Sequence, residues 1–116
     1  MQVGAASLRM ALLFMIAFSA GCATVRNPAL DRARDVYDKA RQDPAIVRNA
    51  GVALDKAGQA LEAAERLWAN ERDVAEVEHL AYITEKRVEI ARITAQRRLA
   101  ADEIQQTRSS RPQSSD

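Results

Sequence analysis

Cysteine and histidine each occur once in this 116-residue chain, as Cys22 and His79. One copy of each leaves no internal disulfide and no Cys/His zinc site. Ser109, Ser110, Ser114 and Ser115 sit in a polar tail with no histidine near them in sequence, so they lack a partner for nucleophilic catalysis. Glycine is limited to four scattered residues, and no glycine-rich loop is present to cradle a phosphate. Proline is absent between Pro44 and Pro112, so over more than 60 residues no ring interrupts a helix. Aromatics after Cys22 are only Tyr37, Trp68 and Tyr82, while Ala, Leu, Arg and Glu abound, a composition of long helices. The longest hydrophobic run is Met10–Phe18, nine residues, whereas a membrane-spanning helix needs about 20. An excess of one charge is also missing. Of 17 Lys+Arg, Arg9 lies before Cys22, which leaves sixteen basic side chains against sixteen acidic ones in the remainder. With both signs interspersed, there is no electrostatic footprint for nucleic acid and no basic block for anionic lipid.

What is present begins with Arg9, the Met10–Phe18 run and the small residues Ser19, Ala20 and Gly21, the parts of an export leader cleaved over residues 1–21. Ending at Cys22, the arrangement looks like a bacterial lipobox, in which the cysteine is thioether-linked to diacylglycerol and becomes the first mature residue. The alternative is an ordinary secretory leader cut elsewhere, with Cys22 a bystander thiol; it draws on Ser19, which stands where a lipobox usually carries Leu. Each buried methylene contributes about 0.8 kcal/mol and two anchoring signals hold a protein stably, so acyl chains such as palmitate on Cys22 suffice for attachment to a membrane. Ala23 occupies the place where enterobacterial lipoproteins carry Asp for inner-membrane retention. By that resemblance the expected location is the outer membrane, facing the periplasm.

The 95 residues left after residue 21 allow one small domain. Asn27-Pro28 and Asp43-Pro44 each put a capping side chain before a proline at the first helical position, predicting helices over about 28–42 and 44–68. Residues 22–27 are then a tether. Val47, Leu54, Leu61 and Trp68 recur every seven residues, with Ala50, Ala57 and Ala64 three places after the first three, giving one apolar stripe. It resumes out of step at Val74, Val77, Ala81, Thr84, Val88, Ala91 and Ala95. With Asn70 and Asp73 spaced as a cap, the shift predicts a turn at Ala69-Asn70 and a third helix over 71–107. At 1.5 Å per residue the second helix is about 37 Å long and the third about 55 Å. The expected fold is all-α and coiled-coil-like: a kinked antiparallel hairpin, with the first helix bent at Asp43-Pro44 to cover the overhang, or a thin three-helix bundle. Gly51 and Gly58 fit either close backbone approach or a solvated face. Residues 108–116 read as a disordered polar tail.

A second apolar row on the third helix, Leu80, Ile83, Ile90, Ile93 and Ile104, is the candidate interaction surface. Either it packs the first helix through Leu30, Val36 and Tyr37, or it docks another protein or a second copy of this chain. Glu76 and His79 form half of a carboxylate-bridged dimetal motif, but the chain has no second histidine to complete it. No catalytic residue, metal or cofactor is therefore expected.

Asn27-Pro-Ala-Leu30, the Ala-Arg-x-x-Tyr37 stretch, Asp43-Pro44, Asn49-Ala50, Leu54-x-x-Ala57 and Val77-Glu-His-Leu-Ala-Tyr82 together resemble the envelope lipoproteins classed under domain of unknown function 4398. The His-Leu-Ala-Tyr segment with Lys86-Arg-Val88 and Ile90-Ala91 is the most specific part, and the likeness covers roughly residues 27–105. Such modules often precede an OmpA-like peptidoglycan-binding domain. This chain lacks the Asp and Arg of that domain, so direct peptidoglycan binding is not expected of it. The resemblance implies a location in the envelope and no reaction. The expected function is a non-catalytic, lipid-anchored structural or adaptor protein; the alternative is a holdase for lipid or outer-membrane protein clients.

Overall fold

Two Asx-Pro steps start the first two helices. Asn27 is extended (φ −109°, ψ 112°) and its side chain accepts from the N–H groups of Ala29 and Leu30, with Pro28 opening α1, Pro28–Arg41. Asp43 repeats the device, accepting from Ala45 N–H at 2.9 Å ahead of α2, Pro44–Asn70. Each cap satisfies donors that the first turn leaves without intrahelical partners. The third helix, α3, is Val74–Ser110. The computed structural model describes residues 25–112; the leader and the first half of the expected tether, Cys22 included, lie outside them.

Between the bundle and the bent hairpin, the molecule is the bundle. Only Gln42 and Asp43 separate α1 from α2, and the extended pre-proline backbone of Asp43 (φ −87°, ψ 109°) reverses the chain. Antiparallel pairing follows: Arg34 meets Glu65, Tyr37 lies over Gly58, and Trp68 Nε1 donates to Val25 O at 3.3 Å. Leu30 and Ala33 pack with Leu61, Ala64, Val77 and Ala81, while Ala40 joins Leu54, Val88 and Ala91. So α1 sits against both α2 and α3 and does not extend along the overhang. Residues Leu99 to Ser110 of α3 stay exposed. The buried stripe explains why, since beyond Ala95 its next places hold Arg98, Asp102 and Gln105, which offer nothing apolar to cover.

The turn occupies Glu71 to Asp73 rather than Ala69-Asn70, so α3 starts three residues later than the spacing predicted. Asn70 is the last residue of α2, and the N–H groups of Glu71 and Arg72 both bond Leu67 O, at 2.9 and 3.2 Å. Arg72 takes the left-handed conformation (φ 53°), and Asp73 caps α3 by accepting from Glu76 N–H. The capping pair is therefore Asp73 with Glu76. At the other end α3 continues through residues 108–110, where the Ser109 and Ser110 hydroxyls donate to carbonyls of the preceding turn. Residues 113–116 of the expected tail lie outside the described part.

On α3, Val77, Ala81, Thr84, Val88, Ala91 and Ala95 are all buried, in alternating steps of four and three. Val74, in the first turn, is exposed. Thr84 is reconciled with burial by donating its hydroxyl to Leu80 O at 2.9 Å. On α2 the stripe holds at Ala50, Leu54, Ala57, Leu61 and Ala64, but Val47 is 47% exposed and Ile46 is buried instead. Ala50 is non-helical (φ −141°, ψ 33°), and this kink shifts the first turn by one place in phase. Nine of the fifteen buried apolar residues are alanine, so the helices approach closely while burying little area each.

The two helix glycines divide between the two explanations. A Cβ on Gly58 would lie 2.7 Å from the Tyr37 hydroxyl, whereas one on Gly51 meets nothing within 4 Å. Gly51→Ala is expected to stabilise by about 0.5–1 kcal/mol, the ordinary helix gain over glycine. Gly58→Ala forfeits that gain by displacing the Tyr37 ring, and Tyr37→Phe in the same chain restores part of it. Urea midpoints of the four proteins measure this; equal gains from both alanines would contradict it.

Candidate interaction surface

The buried stripe of α3 divides its remaining surface into two flanks, because successive residues step by about 100°. One flank, Glu78, Tyr82 and Glu85, meets α1 across a cleft shared with Pro28 and Arg32, and Arg32 lies 3.9 Å from Glu85. The opposite flank carries Leu80, Ile83, Arg87, Ile90, Thr94 and Arg98. There α2 and α3 leave a groove of ≈ 490 Å³ on the face away from α1. Its floor is Ala50, Ala53 and Thr94, and its apolar lips are Val52, 76% exposed, and Ile90, 56% exposed.

The five-residue row is therefore not one surface. Leu80 is partly buried against the cluster of Leu30, Leu61 and Val77, and Ile83 is half-buried on the groove flank. Ile90 forms a lip of the groove. Ile93 and Ile104 are exposed and, by helical phase, lie on the back of α3 away from α2. Of the partners the sequence offers for the row, Leu30 and Tyr37 share the cluster that Leu80 packs against, while Val36 packs against the Ala40 to Ala95 cluster, as Tyr37 also does.

The rim of the groove is cationic. Lys56, Arg87 and Arg98 line it and no acidic residue does. Arg87 donates to Lys56 O at 3.0 Å, and Arg98 donates to Asn49 O beside the break at Ala50. Both arginines thus reach from α3 across to backbone carbonyls of α2, each keeping further N–H donors. The even charge balance of the chain concealed this. From Glu71 to Glu85 there are five acidic and one basic side chains, and from Lys86 to Arg111 seven basic and three acidic. Lys86 lies outside the groove, and the Glu89 hydrogen bond and charge hold its ammonium above the usual lysine pKa.

At the opposite end of the bundle Trp68 anchors the entering chain. Besides its bond to Val25 O, its ring lies under the Arg72 guanidinium at 5.3 Å. Glu76 and His79 are exposed on the first turns of α3. Among the described residues no group of three or more His, Cys, Asp or Glu is placed to hold a metal ion. No described helix is long and apolar enough to cross a membrane.

Fold and surface together define a helical module, a three-helix bundle with a solvent-open apolar groove between α2 and α3. The family model "Domain of unknown function (DUF4398)" matches residues 28–107, and the chain belongs to that family. No curated protein and no solved structure matches it.

Proposed function

We propose that this chain is a non-catalytic lipoprotein of the bacterial cell envelope, held by acyl chains on Cys22 and acting as a structural or adaptor element through helix–helix contacts. The observation that carries this reading is the groove between α2 and α3, whose apolar lips no part of the described chain covers. The leader ending at Cys22 supports the anchor, and Ala23 favours the outer membrane. Val25, bonded to Trp68, is three residues past Cys22, at most about 11 Å of extended chain. An acylated Cys22 therefore makes the α2–α3 turn the membrane-proximal end, with Trp68 suited to headgroup depth. The far end of α3 then stands about 55 Å into the periplasm.

The second reading, a binding module for lipid or outer-membrane clients, draws on the same exposed Val52 and Ile90. Fractionation of cells producing Cys22→Ser tests the anchor. The wild-type chain is expected in the outer-membrane fraction and the variant outside it, either soluble or held in the inner membrane by an uncleaved leader; a variant that stays in the outer-membrane fraction would remove the acyl chains from the account.

A further inference from the structure

Resting on the adaptor reading, we infer that the α2–α3 groove seats an acidic amphipathic helix of a partner protein, its apolar stripe between Val52 and Ile90 and its carboxylates on Lys56, Arg87 and Arg98. Charge complementarity carries this. Three cations rim the groove, no acid lines it, and among the described residues none of the three is in an ion pair. The shape selects a helix over a small amphiphile. Small-ligand sites bury about 70–90% of their ligand, whereas these lips are more than half exposed and form an open trough. The groove's lining on α3 runs from Arg87 to Arg98, about 17 Å, which seats about eleven residues of a helix. Arg87 and Arg98 are eleven residues apart, about three turns, so the occupant carries acidic side chains about three turns apart beside its apolar stripe. With α1 on the opposite face, the incoming helix makes the assembly four-helical.

The position along α3 argues against a headgroup as the source of the negative charge. Arg87 and Arg98 lie about 20 and 36 Å along α3 from Val74, beyond the reach of the membrane to which Cys22 would tether the other end.

The test uses the purified full-length chain and two synthetic amphipathic peptides of about 20 residues with the same apolar stripe, one flanked by Glu and one by Lys. Fluorescence titration is expected to show binding of the Glu peptide and none of the Lys peptide. Binding should weaken roughly tenfold in a Lys56→Glu, Arg87→Gln, Arg98→Gln chain, from three partly exposed ion pairs. Lys56→Glu alone, which removes no side-chain bond to the backbone, guards against loss of fold and should weaken binding in the same direction. Equal affinity for the two peptides, or a Glu peptide indifferent to Lys56→Glu, would overturn the inference. Stoichiometric uptake of dodecanoate without peptide binding, or peptide-independent binding to anionic vesicles through the same three cations, would overturn it in favour of a small amphiphile or a membrane. The titration needs no acyl chain, so a negative result here leaves the Cys22 fractionation standing, and a soluble wild-type chain leaves the groove standing.

Discussion

Leu30→Ala is expected to lower the free energy of unfolding by about 2–4 kcal/mol, the range for removing a fully buried leucine that leaves a cavity. Leu30 is 1% exposed, and the other two buried side chains of α1 are the alanines Ala33 and Ala40. Most of the large apolar surface that docks the N-terminal half of α1 is therefore in one residue. A small alanine-rich core supplies only a few kcal/mol in total, so this loss is a large share of the stability. The effect should be local as well as global. With its anchor cut back, α1 opens ahead of the α2–α3 pair, and trypsin should cut at Arg32 and Arg34 before it cuts within the packed Val77 to Ala95 part of α3. A urea midpoint unchanged from wild type would show that α1 is not held by this contact.

Overpacking should do comparable harm where the helices come closest. Ala91 is fully buried in the cluster that includes Ala40, Ala50, Leu54, Val88 and Ala95. Ala91→Leu inserts three carbons into a contact built on methyl groups, forcing α3 away from its neighbours at a cost of about 1–3 kcal/mol. Ile90→Ala, one residue earlier but on the exposed lip, should change stability by no more than about 0.5 kcal/mol. Thermal melts of the two variants separate core from surface on adjacent residues. A larger loss from Ile90→Ala than from Ala91→Leu would mean that the phase of α3 is wrong.

That phase is legible in the sequence because heptad spacing is a strong signal. Val77 to Ala95 alternate in steps of four and three, and all six of those positions are buried. The Asx-Pro steps were equally plain, since cap and proline encode a helix start within two residues. The α2–α3 turn was misplaced for want of punctuation. Its left-handed residue is Arg72, not the glycine that usually marks such a site, and Asn70 looked like a cap while belonging to the last turn of α2. Heptad spacing puts Val47 in the stripe because the kink at Ala50 leaves no mark in composition. The candidate surface was only partly legible. The sequence shows Leu80, Ile83 and Ile90 as apolar, but separating them from Ile93 and Ile104 requires knowing which flank of α3 looks toward α2. The cationic rim is not legible in the sequence. Lys56 lies on a different helix from Arg87 and Arg98, and a neutral total says nothing about where charges gather in space.

The central claim, an envelope adaptor that works through the α2–α3 groove, is tested most directly by photocrosslinking in living cells from Ile90 and from Ile104 in the full chain with Cys22 intact. The account predicts a discrete adduct with another protein from Ile90 that disappears with Lys56→Glu, and none from Ile104 on the back of α3. Adducts from Ile104 alone, or from Ile90 only to a second copy of this chain, would contradict it.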